Sequence, residues 1–78
     1  MRKKELKLIV TFHTTADAIA VEKACKEREI PGRMIPVPRE LSAGCGLAWC
    51  MAPKGREKME GLLSSLNLES EEMAEILY

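Results

Sequence analysis

Seventy-eight residues give room for one hydrophobic core that buries only roughly 60% of the unfolded chain's surface, which excludes a separate catalytic domain and lid. With 46% hydrophobic and 31% charged residues the composition is globular, not that of a disordered tail or a disulfide mini-protein. Twelve basic residues balance twelve acidic ones, and the three aromatics, Phe12, Trp49 and Tyr78, are scattered, so neither phosphate neutralisation nor a base-stacking platform argues for nucleic acid.

The N-terminal Met1-Arg2-Lys3-Lys4 has the charge of a signal-peptide start, but the apolar Leu8-Ile9-Val10 is too short for one. No run approaches the ~20 apolar residues of a membrane span. Three cysteines, an odd number, fit a compartment that keeps thiols reduced. The expectation is one cytoplasmic domain over residues 1–78, with no membrane association.

From Leu6 to Phe12, Leu6, Leu8, Val10 and Phe12 alternate with Lys7, Ile9 and Thr11, the period of a strand with one buried face. Thr14 and Thr15 can cap a following helix, and Asp17 puts a carboxylate in its first turn, where the dipole favours it. The helix is expected to run to about Glu29, with Ala18, Ala20, Val21, Ala24 and Cys25 on one apolar arc. Ile30-Pro31-Gly32 breaks it, and Arg33–Val37 reads as a second strand that Pro36 confines to an edge of the sheet.

Pro38 to Gly44 is a polar loop, and Gly46–Met51 reads as a third strand, with Trp49 alternating with Leu47 and Met51. Pro53 suits the first turn of a second helix, in which Met59, Leu62, Leu63 and Leu66 recur at i, i+3, i+4 and i+7. The tail is read as a last strand, since Ala74, Ile76 and Tyr78 alternate with Met73, Glu75 and Leu77; Ser70-Glu71-Glu72-Met73 leaves a helix start open there.

Strand, helix, strand, strand, helix, strand is the order of an α+β, ferredoxin-like split βαβ domain: a four-stranded antiparallel sheet with two helices on one face. Ile9 and Ile35 then share the face turned away from the helices, and an apolar open face favours a homodimer. The same topology brings the end of the first strand, the start of the first helix, the loop after the second strand and the start of the third strand to one edge, with Cys45 near His13, Thr14 and Thr15.

Cys45 is the candidate reactive group. Gly44 and Gly46 flank it without side chains, which leaves the thiol open to approach. A helix start nearby lowers a thiol pKa into the range ~3.5–7.5; at ~8.5 about 3% is ionised at neutral pH, against roughly three quarters at ~6.5. Arg39 adds positive charge from the same loop, and His13 can exchange a proton beside the sulfur. The plainer alternative is that the glycines only turn the chain into the third strand, Cys45 is an incidental small residue, and His13 is a surface histidine.

Cys50 is no disulfide partner, because five extended residues at ~3.3 Å each put it some 16 Å from Cys45, against less than ~7 Å for a bridge. A metal site of Cys45, Cys50 and His13 lacks a fourth ligand and the usual spacing. Cys50 reads as a packed strand residue and Cys25 as a core residue. Neither metal nor cofactor is expected.

The stretch Ile30-Pro-Gly-Arg-Met-Ile-Pro-Val-Pro-Arg-Glu-Leu-Ser-Ala-Gly-Cys-Gly-Leu-Ala48, with Thr14-Thr15-Ala16-Asp17-Ala18 and Glu22-Lys23, resembles the small family of selenium/sulfur carrier-like proteins. The resemblance implies a persulfide or selenopersulfide on Cys45, a donor protein and an acceptor protein, and a carrier rather than a turnover enzyme. Thr14, Thr15, Arg39, Gly44 and Gly46 are then the binding residues around the sulfur, with His13 assisting. The TusA-like carriers hold their cysteine in Cys-Pro-x-Pro, whereas here Pro36 and Pro38 precede the cysteine. A non-catalytic interaction or small-ligand module and a thiol redox switch are the competing functions.

Overall fold

The computed structural model describes residues 5–41 and 46–78, and its elements follow the chain in the expected order. They are β1 (Leu6–Thr11), α1 (Thr15–Glu27), β2 (Arg33–Pro36), β3 (Leu47–Met51), a 3₁₀ turn (Pro53–Gly55) leading into α2 (Arg56–Ser65), and β4 (Glu72–Leu77). The strands form one sheet in the order β2-β3-β1-β4, every neighbouring pair antiparallel. This is the ferredoxin-like strand order. Pro36 lies on an edge strand, where its missing amide interrupts no ladder.

Both helices pack on one face of the sheet. Leu8, Val10 and Phe12 from β1 and its end, with Trp49 and Met51 from β3, meet Ala18, Val21, Ala24 and Cys25 of α1 and Met59, Leu62 and Leu63 of α2. Burying such side chains contributes roughly 1.5–3 kcal/mol each for the larger ones, the main force holding the layers together. On the helix-free face Ile9, Ile35, Ala48 and Cys50 form a second apolar cluster.

Several details depart from the sequence reading. β1 is buried on both faces, since Ile9 and Thr11 are as fully buried as Leu8 and Val10, while Leu6 is 49% exposed beyond the end of β3. The hidden Thr11 hydroxyl donates to the Glu72 carbonyl at 3.3 Å, which offsets its desolvation. α1 ends at Glu27 rather than Glu29, and Ala20, placed on the apolar arc, is exposed. β2 stops at Pro36 and β3 begins at Leu47, each one residue short of expectation, and Leu66 is only half-buried as the cap of α2.

The helix ends explain themselves. Glu29 takes φ 57°, and the amides of Glu29 and Ile30 reach back to the carbonyls of Lys26 (3.3 Å) and Cys25 (2.8 Å), closing a Schellman motif before Pro31. Asn67, also at φ 57°, does the same for α2, through Asn67 to Ser64 at 3.1 Å and Leu68 to Leu63 at 2.9 Å. Arg28 then links the two helices: its Nη2 donates to Ser65 Oγ at 2.7 Å, and that hydroxyl donates to the Leu62 carbonyl at 2.8 Å.

Candidate functional site

Strand register fixes which parts of the chain meet at the end of the sheet where β1 finishes. Thr11 lies opposite Ala48 on one side and Glu72 on the other, and Pro36 lies opposite Leu47. The end of β1, the start of α1, the end of β2 and the start of β3 therefore share that end, as the topology required. Ser42, Ala43, Gly44 and Cys45 lie outside the described residues, so the sulfur is bracketed by its neighbours only.

Those neighbours are well defined. The Val37 amide donates to the Gly46 carbonyl at 3.1 Å, which closes the base of the loop, and the Leu41 amide donates to the Pro38 carbonyl at 3.0 Å, a turn that carries Arg39 and Glu40 at its exposed tip. Gly46 has φ 76°, with nothing within 4 Å of where a Cβ would project; its conformation, rather than its space, is what calls for glycine. Val37 and Leu41 pack against the helix-free cluster.

On the helix side, Thr14 caps α1 with extended backbone, its Oγ1 accepting the Asp17 amide at 3.1 Å. Thr15 is the first helical residue and is exposed. Asp17 sits in the first turn, so this helix start already has a carboxylate of its own. His13, exposed, places Nδ1 3.4 Å from Glu71 Oε1. Beside it an open cleft of about 510 Å³ is lined by His13, Asp17, Ser64, Asn67, Leu68 and Glu69.

No sequence signal singled out Ser64, Asn67 or Glu69, because they come from the end of α2 and the segment after it and reach His13 only once α2 packs on the sheet and β4 pairs with β1. The run Glu69-Ser70-Glu71 was the one available hint, an acidic segment ahead of the last strand.

The other two cysteines are packed, as their positions in the pattern required. Cys25 is fully buried against the sheet, and that burial pushes its thiol up to about 11 although the nearby Arg28 charge pulls the other way. Cys50 is 4% exposed on the helix-free face, among Ile9, Ile35 and Ala48. Among the described residues no cluster of three or more histidine, cysteine or acidic side chains is arranged to hold a metal, and no helix is long and apolar enough to cross a membrane.

The family model described as "Putative Se/S carrier protein-like" matches residues 7–75. Among curated proteins, the uncharacterized protein YtiA of Escherichia coli (strain K12) is 38% identical over 47 residues, which are 59% of this chain and 55% of that protein, so the chain spans about half the length of this relative. No solved structure matches it significantly.

Proposed function

The chain belongs to the Se/S carrier protein-like family, and from that premise we propose that it holds a sulfur or selenium atom on Cys45 and passes it from a donor protein to an acceptor protein. The observation that carries the reading is the family match over residues 7–75, a range that includes Cys45, and it is supported by the burial of Cys25 and Cys50 in separate apolar clusters, which leaves Cys45 as the thiol suited to exchange. A sulfur protected from solvent and held neutral is a poor nucleophile.

In the first step the Cys45 thiolate attacks the outer sulfur of a donor persulfide. A new S–S bond forms to Cys45, the donor's S–S bond breaks, and the donor leaves as its thiolate, with no net oxidation. In the second step an acceptor thiolate attacks the outer atom on Cys45 in the same way and restores the Cys45 thiolate. Selenium in place of the outer sulfur follows the same balance. Gly44 and Gly46 give access, the amides beyond Thr14 and Thr15 and the Arg39 guanidinium favour the anion and the docking of a partner, and His13 assists proton movement.

Incubation with a persulfide donor under anaerobic conditions is expected to add one sulfur to the intact chain, mapped to Cys45 and reversed by a thiol, and Cys45→Ser is expected to show no addition. A wild-type mass that stays unchanged, or an addition that persists in Cys45→Ser, counts against the carrier. A non-catalytic small-ligand module is the second reading, favoured by the cleft at His13; there Cys45→Ser leaves function intact.

A further inference from the structure

The end of the sheet where β3 finishes has a different character. There the end of β3, the 3₁₀ turn and the chain leaving α1 line a half-open hollow of about 200 Å³. Its walls are Ile30, Pro31, Met51, Ala52 and Gly55, all without charge, and its two remaining lining residues are Lys54 and Lys58. Gly55 keeps one wall close, since a Cβ there would meet the Met51 methyl at 2.5 Å.

Both lysines are exposed and stand four residues apart across the junction of the 3₁₀ turn and α2. Among the described residues neither pairs with a carboxylate, whereas the neighbouring Arg56 is taken up by Glu60 at 3.4 Å and Glu75 at 3.7 Å. The lining contains no acid. An apolar hollow with two unmatched ammonium groups on its lining selects for an apolar body joined to a negative charge. The volume falls below the roughly 300–1,000 Å³ of sites for drug-sized ligands, so the body is a single ring or a short branched chain.

We infer that this cavity is a second binding site, for small aromatic or branched aliphatic carboxylates, the apolar part seated between Ile30, Pro31 and Met51 and the carboxylate held by Lys54 and Lys58. It stands independently of the proposed cysteine chemistry.

Amide NMR of the full chain titrated with benzoate up to about 20 mM tests it. The expected result is saturable shifts at Met51, Ala52 and Gly55 with a millimolar Kd, as suits so small a ligand. Benzyl alcohol, with the ring but no charge, and the double variant Lys54→Ala, Lys58→Ala are each expected to lose affinity about five- to tenfold. Both lysines are exposed, and the variant's own spectrum reports whether its fold is intact. Acetate at equal ionic strength, with the charge but no ring, is expected to leave these amides in place. The inference is overturned if benzoate gives no saturable shift there, if benzyl alcohol or the double variant binds as tightly as benzoate does to wild type, or if the shifts fall at His13 to Asp17 instead.

Discussion

Gly32 has φ 151°, a conformation nearly closed to residues with a side chain, and a Cβ there would lie 2.6 Å from Trp49 Nε1 and 2.8 Å from the Cys50 carbonyl. Trp49 Nε1 is itself buried and without a hydrogen-bond partner among the described residues, so the indole is placed by packing, not by its polar group. Gly32→Ala combines backbone strain with overpacking against an indole and a backbone carbonyl, and is expected to cost about 3 kcal/mol, read as a fall in the urea midpoint. That the chain leaves the helix by Gly32 was legible from Ile30-Pro31-Gly32, although the turn itself falls earlier, at Arg28 and Glu29. That Gly32 must be glycine because Trp49 passes beneath it was not, since the two meet only once β2 pairs with β3 and Met34 stands opposite Trp49. Cys25 was fully legible, because a cysteine in register with Ala18 and Val21 on a helix has nowhere to face but the core.

At the scale of elements, periodicity predicts the existence and kind of each segment, and the ends are decided by local hydrogen bonding that periodicity does not encode. α1 stops at Glu27 because Glu29 turns left-handed and the amides of Glu29 and Ile30 fold back, which the Ile30-Pro31-Gly32 break does not reveal. Glutamate tolerates that conformation poorly, while Asn67 at the same place after α2 suits it better. Glu29→Gly is therefore expected to stabilise the protein by about 1 kcal/mol, seen as a higher thermal midpoint, with no change in helix content by circular dichroism. Alternation in β1 located the strand but underestimated it: Ile9 and Thr11 were assigned the open face, yet both are fully buried because β1 is central in the sheet and its second face is also covered. Pro36 was a reliable guide, since no central strand accommodates its missing amide.

The molecule as a whole has two apolar layers, one under the helices and one on the opposite face. The second was anticipated from Ile9 and Ile35, with the inference that an open face favours a dimer. Ile9 is fully buried within the chain itself, and Val37, Leu41, Ile76 and Tyr78 pack over the same cluster, so much of that face is already occupied by the chain's own segments. Cys25 gives a global readout of the helix-side layer. Its thiol ionises near 9.0 when unfolded and is pushed to about 11 by burial, so the folded state holds on to a proton that the unfolded state releases between these values. The resulting stabilisation is complete below pH 9 and is lost as pH rises from 9 to 11, on the order of 2–3 kcal/mol in total. Urea titrations from pH 8 to 11 are expected to show this alkaline decline in wild type, and Cys25→Ala is expected to flatten it. The sequence by itself determined the element order, the edge position of β2, the burial of Cys25 and Cys50 and the family kinship, because each of these rests on patterns readable along the chain. Only the tertiary structure decided that His13 meets Glu71 and the end of α2, that Trp49 requires Gly32, and that Lys54 and Lys58 share a cavity with Ile30. Those contacts join residues brought together by strand register and helix packing, and no local pattern records the partner a folded chain will supply.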